Sequence, residues 1–345
     1  MHTVHIVLSC DVDPDRPGFL DGGSRRELTW RGMTEGIPAL KDLLRRVTDS
    51  KGREPVFTWF LRADEQMQQM HGAYAQVVRT QDALLRSLHE SGDELGWHPH
   101  FWRRETEDGP WFQEVEDLDW QVEMLHAAHR DLATCPSGPP QSVRMGWAYH
   151  NTRSYATLEN LGLAVDCSAL PGYRTYRGKP PTRGENFFDW YSSPRQPYRP
   201  SQEDCRRPPR GTEASFRLLE APSFVATSIP WALVSSVQLC RKTGDLGQVW
   251  DAVRRPTYCI NVTARPTLFA PLVAELGKIL RRPPPEGGPI LFSTQFHADE
   301  LMRNRSALYD LHSVKPNLEA LVGVCLKADA QVEFTQASRI AALWA

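Results

Sequence analysis

Short apolar segments alternate with stretches of helical periodicity along most of the chain, and this alternation strongly constrains the fold. The segments that resemble strands include residues 4–8, 56–61, 94–97, 142–147 and 289–296. Between the first two, apolar residues recur every three or four positions from 33 to 47, as on one face of a helix. Alternating strands and helices indicate a parallel sheet. The predicted class is therefore α/β, with about seven mostly parallel strands.

Length and charge set limits on the kind of protein. A chain of 345 residues can form one elaborated α/β barrel with long loops, so we predict a single domain over residues 1–345. The formal net charge of -2 argues against a nucleic-acid partner. No run approaches the roughly 20 apolar residues of a membrane span. The first apolar run lacks a basic region before it, which predicts a cytoplasmic protein without a secretory signal.

The seven cysteines are scattered along the chain and include no C-x-x-C pair. Such spacing predicts reduced thiols rather than a disulfide framework or a cysteine zinc cluster. A metal site, if the chain has one, must therefore use other ligands.

Two histidines, His98 and His100, follow the third predicted strand. Alternate residues of an extended chain share a face, so both imidazoles can point to one side, as metal ligands do. A hydrolytic metal site usually takes three protein ligands, and Asp11 and Asp13 at the end of the first strand can supply the third. Surface histidines and turn-forming acids are the alternative. Because both signals end predicted strands, where α/β folds gather their active sites, we predict a metal site.

Residues 172–215 interrupt the alternation with a proline-rich segment that holds nine lysines or arginines against five acids. Disordered segments are poor in aromatic residues, so Phe187, Trp190 and Tyr198 favour an ordered, packed loop. A basic loop at the mouth of a barrel would attract an anionic substrate. A solvated surface cover explains the same composition, so the charge of the substrate stays open.

The order of these motifs resembles the NodB-like polysaccharide deacetylases, carbohydrate esterases with a distorted (β/α) barrel. The resemblance spans residues 4–335. The motifs that carry it are Asp11-Val12-Asp13, Phe57-Thr58-Trp59-Phe60, residues 94–100, Arg144, Asp166-Cys167-Ser168 and Phe296-His297. It implies a divalent metal ion held by one aspartate and two histidines, with Zn²⁺ expected and Co²⁺ or Ni²⁺ as alternatives.

The resemblance assigns the metal to Asp13, His98 and His100, and the chain departs from the family pattern at two points. The family's acids are adjacent, whereas Val12 separates Asp11 from Asp13, so these two acids can exchange the roles of ligand and base. The family's histidines are four residues apart, whereas position 102 is a tryptophan, so His100 must replace the second histidine.

The same resemblance assigns Asp11 as general base and His297 as general acid. Arg144 would brace the base and Asp166 would brace the arginine, although Asp189, in an Asp-Trp pair, competes with Asp166. Amide hydrolysis needs a base that accepts a proton from water and an acid that protonates the leaving nitrogen. A zinc-like ion stabilises the oxyanion and lowers the pKa of its water to about 7.

Aromatic residues near these motifs can offer flat faces to a sugar ring. Trp97, Trp102 and Trp190 are predicted to bind substrate, and core packing is the alternative for any one tryptophan. We predict a metal-dependent hydrolase that removes an N-acyl group, with acetyl expected, from an amino sugar, a glycan or a sugar-containing small molecule. Two alternatives remain: hydrolysis of another amide or formamide, and a non-catalytic carbohydrate-binding protein on a decayed deacetylase scaffold.

Overall fold

A curled parallel sheet forms the centre of the computed structural model, which describes residues 2–15, 29–107, 109–175, 187–243, 247–282, 288–302 and 308–344. Within these ranges the strands, in chain order, are β1 (Thr3–Val12), β2 (Phe57–Arg62), β3 (Glu94–His98), β4 (Trp102–Arg103), β5 (Phe112–Gln113), β6 (Ser142–Val143), β7 (Val165–Asp166), β8 (Leu219–Glu220), β9 (Ala226–Thr227), β10 (Thr257–Tyr258), β11 (Ile290–His297) and β12 (Gln331–Phe334).

The α-helices of the described ranges lie mostly between strands of this sheet. They are α1 (Ile37–Leu44), α2 (Glu65–His71), α3 (Gln76–Thr80), α4 (Asp82–Glu90), α5 (Leu118–Leu132), α6 (Thr152–Asn160), α7 (Ile229–Thr243), α8 (Gly247–Arg254), α9 (Pro266–Arg281), α10 (Val314–Lys327) and α11 (Ile340–Leu343). None of these helices combines the length and the apolar character that a membrane span requires.

Eight of the described strands form the main sheet, in the order β11-β1-β2-β3-β6-β7-β8, and β12 also pairs with β1. All of its pairs are parallel. One edge of β1 has two partners, since residues 3–6 pair with β12 and residues 8–12 pair with β2. The sheet confirms the predicted α/β class and distorted (β/α) barrel, and β12 brings the strand number to eight.

The barrel is not closed by strand pairing between β8 and β11 in the described part of the chain. The backbone N–H of Phe224 crosses this gap and donates to the carbonyl of Ser293 at 2.8 Å. The side-chain amide of Gln196 bonds to the N–H of Leu291 at 2.9 Å and to its carbonyl at 3.2 Å. These hydrogen bonds bridge the gap in place of a strand pair.

The apolar runs of the strands are continuous because both faces of the sheet are buried. On β1, Ile6 and Leu8 belong to the large core between the sheet and the helices. Val7 belongs to a smaller cluster inside the curl of the sheet, with Phe60 and Leu291. The apolar residues of the first strand therefore contribute to two hydrophobic cores, one on each face of the sheet.

The described part of the loop at 172–215 packs on the barrel. Trp190 and Tyr198 are buried, and the backbone of Tyr198 pairs with that of Glu220. Three arginines form ion pairs with acids: Arg174–Asp251, Arg206–Asp189 and Arg207–Glu213, with N···O distances of 2.7, 3.1 and 2.5 Å. Arg177, Lys179 and Arg183, which also contributed to the predicted basic loop, lie outside the described residues.

The fourth predicted strand, residues 142–147, is shorter in the structure. It ends at Val143, and a 3₁₀ turn follows at Gly146–Ala148. Within this turn Trp147 and Ala148 have φ angles of 56° and 53°, in the left-handed region that residues with a Cβ rarely adopt. The strand therefore ends four residues before the predicted position.

Candidate active site

Strand register gathers the polar side chains at one edge of the sheet. The β1–β11 register places Asp11 beside His297, and the β2–β3 register places Arg62 beside His98. Because parallel strands end at the same edge, these residues line a common cavity of about 300 Å³, together with Arg144. The structure therefore brings the predicted strand-end motifs together.

Asp13, His98 and His100 form a cluster suited to a metal ion. One ligand atom of each residue lies within 4.8 Å of the others, and all three residues are buried. The Nε2 atoms of the two histidines are 3.0 Å apart, and His98 Nε2 is 3.8 Å from Asp13 Oδ2. Ligands of a tetrahedral zinc ion are separated by roughly 3.3 Å, given bonds of about 2.0–2.1 Å. The cluster fits such an ion.

Neighbouring groups orient both imidazoles. His98 Nδ1 lies 2.8 Å from the carbonyl oxygen of Arg144, which can only accept, so Nδ1 carries the hydrogen and Nε2 presents its lone pair to the cluster. The ring of His100 lies directly against Gly146, where a Cβ would come within 2.0 Å of its Cγ. Trp102 stacks on the same imidazole, with ring centroids 6.4 Å apart.

Asp13 is held by side chains on two sides. Arg62 Nη1 donates to its Oδ1 at 2.7 Å, and His297 Nδ1 lies 3.3 Å from its Oδ2. Burial raises the pKa of this carboxyl, but His98, His297 and Arg62 together hold it well below its usual value. Asp13 is therefore ionised, with Oδ2 turned toward the histidines.

Asp11 is held separately from the cluster, by Arg144. Arg144 Nη1 donates to Asp11 Oδ1 at 2.9 Å, Nη2 donates to Ser9 Oγ at 2.7 Å, and Nε donates to the carbonyl of Cys167 at 3.0 Å. Burial raises the pKa of Asp11, but Arg144 opposes it and the net pKa lies below the usual value. This geometry favours Asp13 as ligand and leaves Asp11 as the ionised acid beside it.

Arg62 is a site residue that the sequence analysis did not identify. It is fully buried, and besides Asp13 it donates to Asp64 and, at 2.8 Å, to Gln66. Asp64 in turn accepts the backbone N–H of His100 at 3.1 Å. The sequence does contain a signal for Arg62, because this residue lies at the end of the second strand, as Asp11 and His98 lie near the ends of the first and third strands.

The structure does not place Asp166 where the resemblance implied. The described hydrogen bonds of Arg144 go to Asp11, Ser9 and Cys167, and none goes to Asp166. The Asp166 carboxylate instead accepts the hydroxyl of Ser168 at 2.5 Å and lies 2.8 Å from His150 Nε2. Its link to the cavity is indirect, because Ser168 Oγ also accepts the backbone N–H of Met145.

The competing acid, Asp189, does not contact Arg144 in a described bond either. It accepts the backbone N–H of Tyr191 at 3.1 Å and pairs with Arg206. The bracing role that the resemblance gave to one of two acids is therefore filled by Ser9 and the Cys167 carbonyl. The Asp166 carboxylate is taken up by Ser168 and His150, and that of Asp189 by Arg206.

Two of the three tryptophans predicted to bind substrate are core residues. Trp97 is fully buried and donates to the carbonyl of Ala63 at 2.9 Å, and Trp190 is 1% exposed and donates to that of Ala148 at 2.7 Å. Trp102 is 8% exposed and supports His100 rather than lining the cavity. A half-buried tryptophan that does line it is Trp147, beside Phe188.

No model of a known protein family matches the sequence, and no curated protein does. Solved structures with the same fold include a candidate polysaccharide deacetylase from Mycobacterium smegmatis, at 15% identity and a TM-score of 0.51, matched over 99% of this chain and 90% of that one. Another is a candidate glycoside hydrolase/deacetylase from Parabacteroides distasonis, at 14% identity and a TM-score of 0.54, over 99% and 71%. The chain thus has the NodB-like fold of polysaccharide deacetylases, as its motifs predicted.

Proposed function

We propose that this chain is a metal-dependent N-deacetylase of an acylamino sugar. One observation carries the proposal, namely that a buried ligand cluster, an ionised acid and a histidine line a single cavity. These residues are Asp13, His98 and His100 for the cluster, Asp11 for the acid and His297 for the histidine. The fold, shared with proteins described as deacetylases, supports the same reaction class.

The donor set of two imidazoles and one carboxylate is common in hydrolytic zinc sites, and it also accepts Co²⁺ or Ni²⁺. A bound ion would act as a Lewis acid on the amide carbonyl and would make water acidic enough to deprotonate near neutral pH. His98, fixed by the Arg144 carbonyl, and His100, fixed by Gly146 and Trp102, provide the rigid part of such a site.

Asp11 is the group best placed to accept a proton from the attacking water. Its carboxylate lines the cavity beside the ligand cluster and stays ionised because Arg144 donates to Oδ1. The guanidinium of Arg144 is itself held by Ser9 and the Cys167 carbonyl, so the acid keeps a fixed orientation. A general base needs both properties, ionisation at the working pH and a fixed position.

His297 is the group best placed to protonate the leaving nitrogen. It lines the cavity, its side chain is 29% exposed, and Nδ1 faces Asp13 Oδ2 at 3.3 Å. The carboxylate stabilises a protonated imidazole, as an acid catalyst requires. Amide hydrolysis needs this proton because the amine is otherwise a poor leaving group.

The described cavity residues do not support an anionic substrate. The two arginines that line the cavity, Arg62 and Arg144, are each paired with an aspartate. The described arginines of the loop at 172–215 do not line it. We therefore propose a neutral acylamino sugar, with Trp147 and Phe188 as the nearest aromatic surfaces.

Three variants separate the proposed roles. Asp13→Asn is expected to lose stoichiometric metal, whereas Asp11→Asn is expected to keep the metal and lose most turnover. Asp82→Asn is a matched control, because this acid is exposed on α4 and pairs only with Arg86 among the described contacts. The measurements are metal content by mass spectrometry and acetate release from N-acetylglucosamine and its oligomers.

The outcomes also separate the alternatives. Exchanged phenotypes of the two aspartate variants would exchange ligand and base. A protein that binds zinc and hydrolyses formamides but not acylamino sugars would be an amidohydrolase of another class. A protein that takes up no metal after zinc or cobalt supplementation would refute the proposal and favour a carbohydrate-binding protein.

A further inference from the structure

One peptide group, between Arg144 and Met145, connects the ligand cluster to a buried acid. Its carbonyl oxygen accepts from His98 Nδ1 at 2.8 Å, and its N–H donates to Ser168 Oγ at 2.8 Å. The Ser168 hydroxyl in turn donates to Asp166 Oδ1 at 2.5 Å. Three hydrogen bonds and one peptide therefore link an imidazole of the cluster to the carboxylate of Asp166.

The sheet holds the backbone around this peptide from both sides. On the side of β3, the N–H of Arg144 donates to the carbonyl of Trp97 at 2.9 Å. On the side of β7, the N–H of Cys167 donates to the carbonyl of Val143 at 2.8 Å, and Arg144 Nε donates to the carbonyl of Cys167 at 3.0 Å. Among the described contacts, the N–H of the peptide itself bonds to a single side chain, that of Ser168.

Asp166 supplies a negative charge at the far end of this chain of bonds. It is fully buried, and its Oδ2 lies 2.8 Å from His150 Nε2. Burial raises the pKa of Asp166, but His150, Glu220 and Ser168 together hold this pKa below its usual value. Hydrogen bonds in a chain polarise one another, and a bond to a carboxylate is among the strongest. The charge of Asp166 therefore strengthens the bond between the peptide carbonyl and His98.

A stronger acceptor at Nδ1 has two consequences for His98. It keeps the hydrogen on Nδ1, so that Nε2 presents its lone pair to the cluster, and it raises the basicity of Nε2. A carboxylate usually has this effect by bonding the imidazole directly. In this chain, Asp166 reaches the imidazole through one hydroxyl and one peptide.

We propose that Ser168 is a positioning residue for His98, and that it transmits the charge of Asp166 to this imidazole through the 144–145 peptide. The proposal rests on the proposed function for the role of His98 as a metal ligand. Ser168 also lines the catalytic cavity, where a substrate could touch it. Its effect on His98 must therefore be measured without substrate.

The first measurement is zinc affinity in Ser168→Ala, by competition with a chromophoric chelator. Loss of the hydroxyl is expected to weaken zinc binding about tenfold, as for other groups that orient a ligand. Ser168→Thr keeps the hydroxyl and should restore most of the affinity. Asp166→Asn keeps an acceptor oxygen but removes the charge, so it should also weaken binding. Ser142→Ala is the matched control, because its hydroxyl is also buried, has no described partner and does not line the catalytic cavity.

The imidazole of His98 gives a second readout, which a loss of packing alone would not change. Nitrogen-15 NMR of the metal-free protein is expected to show a single Nδ1–H tautomer of His98 in the parent, Ser168→Thr and Ser142→Ala proteins. Ser168→Ala is expected to show a mixture of tautomers, because the peptide that orients the ring has lost its anchor.

Two results would overturn the proposal. One is a folded Ser168→Ala protein with the zinc affinity of the parent. The other is a Ser168→Ala protein with lowered stability but the same single tautomer, which would make Ser168 a structural residue only. Failure of the parent protein to take up zinc would refute the proposed function instead, and the tautomer in the metal-free protein would still decide whether Ser168 positions His98.

Discussion

Replacing Gly146 by alanine should remove a metal ligand without changing any ligating residue. Gly146 donates its N–H to the carbonyl of Pro99 at 2.7 Å, which limits how far the backbone can retreat. An added Cβ would lie 2.0 Å from Cγ, 2.1 Å from Cδ2 and 2.2 Å from Nδ1 of His100, whereas ordinary contact begins at 3.4 Å. The imidazole must therefore move by about 1.4 Å, which is 3.4 minus 2.0.

That displacement is large compared with what coordination tolerates. A zinc–nitrogen bond of about 2.0–2.1 Å accepts deviations of roughly 0.2 Å. Changes to groups that merely orient a ligand already weaken metal binding by about 10- to 100-fold. Loss of His100 itself should weaken it by at least about 100-fold, or about 2.7 kcal/mol.

The assay is competition for Zn²⁺ against a chromophoric chelator, with the absorption spectrum of the Co²⁺ form as a report on ligand number. Gly323→Ala is the matched control, because this glycine lies on α10 with nothing within 4 Å of an added Cβ. Circular dichroism establishes that both variants are folded. A folded Gly146→Ala protein with unchanged zinc affinity and cobalt spectrum would refute the assignment of His100 as ligand.

Three further predictions concern buried groups. Burial, with Asp166 nearby, raises the pKa of Glu220 well above its usual value, so the folded state holds this proton more tightly than the unfolded state. The stability that this proton contributes is full below pH ~4.5, the value for an unfolded glutamate, and falls as the pH rises through the folded pKa. Glu220→Gln should therefore flatten the pH dependence of urea unfolding above pH ~4.5, and an unchanged slope would contradict this. Trp190→Phe should lower the free energy of unfolding by about 1–3 kcal/mol in denaturant titrations and leave KM unchanged, because the indole packs in the core and donates a buried hydrogen bond. A raised KM at unchanged stability would instead support the predicted contact of Trp190 with substrate. Arg62→Met should lower the unfolding free energy by about 3–5 kcal/mol, since two buried acids lose their cation, and a fully stable variant would show that the pairing is dispensable.

The sequence could predict the strand ends that carry the site, because each functional residue there follows an apolar run. Asp13, His98 and His297 were found in this way, and strand register brings all three to one cavity. The choice between Asp11 and Asp13 as ligand could not be made from sequence. The choice depends on Arg144, which lies 133 positions from Asp11 in the sequence and donates a hydrogen bond to Asp11 rather than to Asp13.

The residues that sequence analysis placed wrongly depend on side-chain direction across distant elements. Asp166 follows the pattern of a strand-end acid, yet its partner is His150 and not Arg144. Trp97 and Trp190 are of a residue type that often stacks on sugar rings, but both are buried in the core. Whether a tryptophan is buried depends on packing against distant elements, which the local sequence does not reveal. The two left-handed positions of the turn after β6 are Trp147 and Ala148 rather than glycines, so the residue type that usually signals this conformation is missing.

The placement of β1 has a consequence for how the chain folds during synthesis. β1 pairs with β2 at residues 8–12, but its other edge pairs with β11, where residue 4 meets residue 290. At about 5–20 residues per second, the ribosome needs roughly 15–60 s to make the intervening chain. During that interval the edge of β1 that pairs with β11 has no partner strand, and unpaired edges of apolar strands bind chaperones or other chains. Ribosome-arrested chains that stop before residue 290 should therefore stay sensitive to protease along β1, and early protection would mean that a different element covers the edge first.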